Sequence, residues 1–239
     1  MKDIFDKGRG KYGWRTIQMR LWAERGVVMN HKKIARIKRD YGLTTKVRRR
    51  NPYKAIMKKT KEHRSFENAL GRKFRQERPG IVLCTDITYL PFGPRTAYLS
   101  AVKDVASREI VGWHLGRSLQ MDLVFRTLDD LKRNAPGEKA MLHSDQGFHY
   151  TSPEFIRRVR EMNIAQSMSR KGNCIDNAPI ESFFGHFKDE VDYKSCGSFE
   201  ELERLTADYI DHYNTGRRQW NLGKRTPAEY REHLLREGG

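Results

Sequence analysis

Residues 81–90 read IVLCTDITYL, a β-rich run that is apolar on consecutive positions. A strand with two apolar faces belongs inside a sheet covered on both sides, so this run predicts a central strand of an α/β domain. The segments that follow fit such a sheet. Pro91-Phe92-Gly93-Pro94 supplies a turn, and residues 96–105 (TAYLSAVKDV) and 109–115 (EIVGWHL) make second and third strands in a meander. Residues 122–134 (DLVFRTLDDLKRN) set Leu123, Leu128 and Leu131 on one helical face. A fourth strand is expected at 139–143, closing on His143-Ser144-Asp145. A helix then opens at Ser152-Pro153-Glu154, with cap and proline in favoured places. A fifth strand at 164–168 and helices at about 177–191 and 199–213 complete the order β-β-β-α-β-α-β-α-α. That order implies a mixed five-stranded sheet with helices on both faces.

The charge is confined to one end. Residues 1–79 hold 25 of the 47 Lys and Arg against 7 Asp and Glu, a net of +18, while residues 80–239 are near neutral at −1. Such a segment attracts a polyanion, because each neutralised phosphate releases condensed counterions. Membrane and secreted classes are disfavoured. No stretch approaches the roughly 20 apolar residues of a spanning helix, and the opening MKDIFDKGRG lacks the apolar core of a secretory signal. Cys84, Cys174 and Cys196 form no Cys-x-x-Cys pair, which argues against a disulfide scaffold or zinc finger and fits a reducing, cytoplasmic setting.

Within the basic third, residues 12–24 place Trp14, Ile17 and Leu21 at helical spacing, with Trp22 beside them, until Gly26 breaks the pattern. A second helix is expected from the cap Asn30 to the stop Gly42, carrying Ile34, Ile37 and Tyr41 inward. Lys32, Arg36 and Arg39 fall at i, i+4 and i+7, so they share a face, with Lys33 adjacent. One apolar and one cationic face suit a helix-turn-helix docked on DNA; an ordinary amphipathic pair with solvated lysines gives the same pattern. The expected division is a helix-turn-helix domain at 1–47, a basic linker at 48–79 that includes Arg48, Arg49 and Arg50, and a core at 80–239.

Three carboxylates stand out. Asp86 interrupts the apolar first strand, where an ionised group needs a cation or donors. Asp145 closes the fourth strand, at the kind of strand end where open sheets put ligands. Glu181 lies in the first turns of a helix introduced by Asp176, Asn177 and Pro179, with 35 residues separating it from Asp145. Each also has a structural explanation: a buried acid satisfied by amides, a turn former and a helix-dipole residue.

The segments TDITYL (85–90), HSDQGFHYTS (143–152), SMSRKGNCIDNAPIESFFGHFK (167–188) and YNTGRRQWNLGKRTPAEY (213–230) resemble the DDE transposases of bacterial insertion sequences. In particular they resemble the second-frame (OrfB-type) transposase of the insertion-sequence-three family, with its retroviral-integrase-like, RNase-H-like core. The N-terminal YGWRTI…VMNHKKIARIKRDYGL resembles that family's helix-turn-helix segment. Leu83 and Ile175 depart from the residues common at those positions. The resemblance implies a catalytic and metal-binding trio of Asp86, Asp145 and Glu181. It also implies DNA contacts from Lys188, seven residues beyond Glu181, with Asn177 facing the same site.

Converging carboxylates repel one another unless divalent cations resolve the repulsion, and all-oxygen ligands select Mg²⁺ or Mn²⁺. Two ions roughly 3.5–4 Å apart would serve an attacking and a leaving oxygen. The expected activity is Mg-dependent DNA cleavage and strand transfer at insertion-sequence ends. A non-catalytic DNA-binding protein and an RNase-H-like nuclease are the alternatives. The reaction implies DNA and a second copy of the chain as partners, and the resemblance implies an upstream-frame helix-turn-helix protein, which would be separate or absent here. His143 and His149, beside Asp145, are read as structural, and Asp104 and Asp176 as a turn residue and a cap.

Overall fold

The computed structural model describes residues 1–46, 66–71, 74–134, 139–170 and 174–237. Five strands, β1 (Val82–Phe92), β2 (Arg95–Asp104), β3 (Ile110–Gly116), β4 (Met141–Ser144) and β5 (Ala165–Met168), lie in the order β3-β2-β1-β4-β5. β1 is antiparallel to β2 and parallel to β4, and β4 is parallel to β5. The sheet is therefore mixed, with β1 at its centre. β1 runs past the expected turn: Pro91 pairs with Thr96 and Phe92 with Arg95, leaving Gly93-Pro94 as the connection, with Gly93 at φ 49°. The proline is tolerated because β4 pairs only with Val82–Cys84, so the other edge of β1 has no ladder to feed there.

Alternate β1 side chains enter different layers. Val82, Cys84, Leu90 and Phe92 join the cluster made with α7 (Ala178–Glu190) and α8 (Phe199–Asp211), which includes Ile180, Phe183, Phe187 and Leu202. Leu83 joins the opposite layer with Leu128 and Leu131 of α4 (Met121–Arg133) and Phe155 and Val159 of α6 (Pro153–Glu161). A short α5 (Phe148–Thr151) precedes α6, and α8 gives way to a π-helical turn at His212–Gly216 before α9 (Pro227–Glu237).

The N-terminal unit has its own small core of Ile4, Phe5, Ile17, Leu21, Ile34 and Leu43. It is built from α1 (Lys2–Lys7), α2 (Trp14–Arg25) and α3 (His31–Asp40). Asn30 caps α3 as expected, its Oδ1 accepting the Lys32 N–H at 2.9 Å, and Gly42 takes φ 63° just past the end. Tyr41 does not point inward. The helix stops at Asp40, so Tyr41 leaves the helical face and is 73% exposed.

Candidate active site and DNA-binding surface

The parity of β1 decides which way Asp86 faces. Even-numbered positions from Val82 to Phe92 look toward α7, so half-buried Asp86 lies on the α7 side. In the parallel register Leu83 opposes Leu142 and Cys84 opposes His143. Continued by two residues, that register sets Asp145, one residue past the end of β4, beside Asp86 midway along β1, where the two strands cease to pair. Asp86 Oδ1 accepts the Ile87 N–H and Asp145 Oδ1 accepts the Gly147 N–H, both at 2.8 Å. A Cβ on Gly147 would fall 2.8 Å from Asp145 Oδ1, so a side chain there would push the carboxylate aside. The two carboxylates act on the same phenols. Burial, with Asp86 and Asp145 adding to it, pushes buried Tyr150 well above the usual phenol range. Burial, Tyr98 and the same two acids raise Tyr89.

Two buried cross-ties bring α7 to this corner. Asn177 Nδ2 donates to the Thr85 carbonyl at 3.0 Å, one residue before Asp86, and Lys103 Nζ donates to the Pro179 carbonyl at 3.1 Å. Half-buried Glu181 follows within the first turns of α7. Among the described residues, no group of three or more His, Cys, Asp or Glu side chains could hold a metal ion. The expected three-acid cage is therefore not assembled. The sheet sets two acids side by side and anchors the helix of the third close by. The donor set is nonetheless all carboxylate oxygen, which fits a hard divalent cation.

Asn177 was expected to contact DNA. It is 4% exposed and committed to β1, while its Oδ1 is buried with no hydrogen-bond partner. It uses neither DNA-facing exposure nor a side-chain cap, because the first turn of α7 lands directly on the strand. Lys188 lies half-buried two turns beyond Glu181. Lys32, Lys33, Arg36 and Arg39 are all exposed on α3 and ion-pair with no other described residue. Lys38 on the same helix turns inward to Thr45 Oγ1 and the Tyr12 carbonyl. Arg48, Arg49 and Arg50 fall outside the described residues.

His143 is fully buried between Ser167 Oγ at 3.0 Å and Ser169 Oγ at 3.1 Å, and His149 Nε2 is 3.1 Å from the Leu119 carbonyl, so both are structural. Asp104 accepts the Gly80 and Ser107 N–H groups, and Asp176 accepts from Asn68 and from the Arg170 backbone. Lys103 was not singled out from the sequence. It is 2% exposed, and only its position in an otherwise apolar strand segment could have signalled it.

An integrase core domain model matches residues 76–174, a second integrase core domain model matches 162–227, and an HTH-like domain model matches 1–51. The putative transposase InsK for insertion sequence element IS150 of Escherichia coli K12 is 36% identical over 235 residues, covering 97% of this chain and 81% of that protein. The transposase for insertion sequence element IS904 of Lactococcus lactis is 32% identical, covering 98% and 92%. Among solved structures, the magnesium-bound HTLV-2 integrase catalytic core domain in its trimeric form superposes with a TM-score of 0.54 at 14% identity, over 66% of this chain and 99% of that one. At that identity the match speaks for the RNase-H-like fold alone.

Proposed function

The chain belongs to the IS3-type insertion-sequence transposases with an integrase-like core, DNA-binding enzymes that transfer polynucleotide strands in transposition, and from this premise we propose that Asp86, Asp145 and Glu181 form its catalytic centre. What supports this reading is the parallel register of β1 and β4, which continued by two residues brings Asp145 beside Asp86 on the face that receives the helix of Glu181. Asp86 and Asp145 would hold a divalent cation, Mg²⁺ or Mn²⁺, and Glu181 would complete the ligand set, with room for two ions when DNA is present. The bound metal supplies activation of an attacking oxygen and stabilisation of a leaving one at a phosphodiester.

The chain's own residues do the rest. The Gly147 turn fixes Asp145, and Asn177 and Lys103 fix the start of α7. Lys188, further along α7, would contact the DNA backbone near the reacting strand. Water is the nucleophile for cleavage, releasing a 3′-hydroxyl, and that hydroxyl attacks the next phosphodiester in strand transfer, without a covalent enzyme intermediate. The face of Lys32, Lys33, Arg36 and Arg39 would engage the terminal repeats. Holding two ends requires at least two copies of the chain, and an upstream-frame helix-turn-helix protein is a further partner.

The test is Mg²⁺-dependent nicking and joining of end-containing DNA. Asp86→Asn, Asp145→Asn and Glu181→Gln should each lose at least a hundredfold in rate while still binding DNA. Full activity in Asp86→Asn would remove the assignment.

A further inference from the structure

Across an open cleft of about 550 Å³, α2 of the N-terminal unit faces the segment 215–221 of the core. Four arginines line it, Arg15, Arg20, Arg217 and Arg218, against two glutamates, Glu24 and Glu190. Three of these arginines are held by carboxylates: Arg20 on Glu24 at 2.9 Å, Arg217 on Glu190 and Arg218 on Glu229 at 2.7 Å each. Arg15 is not. Its guanidinium lies over the Trp14 ring at 4.8 Å, is exposed, and pairs with no other described carboxylate. Lys224, half-buried and outside the lining, neighbours the cleft through Trp220 of its wall, its Nζ 5.4 Å from the Trp22 ring and 5.6 Å from that of Trp220. These two tryptophans stay 44% and 43% exposed. Two uncommitted cations, Arg15 on half-buried Trp14 and Lys224 on exposed Trp22 and Trp220, drawn from two separately packed units, suit a backbone that alternates anionic phosphates with apolar sugar faces.

The cleft continues into the surface already described. The Trp14 ring lies 5.3 Å from His31, the first residue of α3, and 6.5 Å from Trp220 of the core. The N-terminal end of a recognition helix is the end that enters the major groove. A duplex held there passes Trp14 and reaches the cleft.

We propose that this cleft is a second DNA site, which grips the sugar–phosphate backbone of the duplex engaged by α3. Arg15 and Lys224 take phosphates, and Trp22 and Trp220 pack on the apolar faces of the deoxyriboses. The proposal rests on α3 being the DNA-reading helix, and the experiment separates the two claims. The full chain is titrated with a labelled 30-base-pair duplex of random sequence over a series of KCl concentrations. Arg15→Gln combined with Lys224→Gln, which keeps both stems, should make the slope of log affinity against log salt shallower by about 1.8, at roughly 0.9 per phosphate contact. Trp220→Ala should weaken binding about fivefold or more, and Trp220→Phe should restore most of it. An unchanged slope in the double variant, with Arg36→Ala still lowering it, overturns the cleft and leaves α3 standing. If the double variant binds duplex normally but loses binding to polyglutamate, the occupant is an acidic protein segment and the proposal is overturned. If Arg36→Ala binds as the wild type does, the reading of α3 fails, and the proposal with it.

Discussion

Asn177 ties the start of α7 to the carbonyl of Thr85, one residue before Asp86, so its side chain fixes the offset between the Glu181 helix and the Asp86 strand. Replacing it with alanine removes a buried hydrogen bond worth about 1 kcal/mol. The orphaned Oδ1 disappears with it, so the loss of stability should be small. The chemistry should suffer more. Asn177→Ala is expected to slow single-turnover strand joining at least tenfold at unchanged duplex affinity, and a loss of affinity with a normal rate would instead make it a DNA contact. His186 gives a second residue-scale test. Burial first, and the neighbouring Arg217 next, push its imidazole down to about 4. An unfolded histidine titrates near 6.5. Between those values the unfolded chain takes up a proton that the folded chain refuses, so stability falls as pH drops from 6.5 toward 4. His114 and His212 are depressed in the same direction, both chiefly by burial. The thermal midpoint should fall across that window, and less steeply in His186→Gln; an identical slope would show that the imidazole is not held neutral.

At the scale of elements, two glycines separate close approach from open space. A Cβ on Gly112 of β3 would sit 3.0 Å from the Leu131 backbone nitrogen and 3.1 Å from its Cα, and helix backbone yields little. Gly112→Ala should cost about 1–3 kcal/mol by driving α4 off the sheet. Gly185 of α7 meets nothing within 4 Å, so Gly185→Ala should stabilise by up to about 1 kcal/mol through helix propensity. Thermal melts in parallel decide both, and equal midpoints would refute the packing argument. Elements whose evidence is local were legible from the chain. The Asn30 cap, the cationic spacing on α3 and the two-faced apolar run of β1 need only neighbours in sequence. α1 escaped notice because six residues are too few to show a period, and α9 because it buries only Pro227 and so carries no apolar stripe. The adjacency of Asp86 and Asp145 was readable only by resemblance, since it follows from a parallel register that no local pattern encodes. The burial of Asn177 was not readable at all: it depends on which strand α7 lands upon.

The whole molecule divides its labour between a small basic unit and a larger near-neutral one, and their cores share no buried residue. Ile4, Phe5, Ile17, Leu21, Ile34 and Leu43 hold the first, whereas two larger clusters clamp the sheet of the second. A truncation in the small cluster has few neighbours to absorb it. Ile34 is fully buried, and Ile34→Ala should cost about 2–5 kcal/mol, a large part of what a unit of this size has to lose. The opening should stay local, because the links to the core lie outside both buried clusters, such as Arg20 on His212 at 3.4 Å and the Trp14–Trp220 edge contact. Hydrogen exchange should therefore lose protection across α1–α3 while the strands and α7 keep theirs. Binding to element ends should drop with it, and residual Mg²⁺-dependent nicking of non-specific DNA should persist, since Asp86 and Asp145 sit on the sheet. Loss of protection in β1 and β4 together with α3 would mean that the two units fold as one, and the division of labour would have to be abandoned.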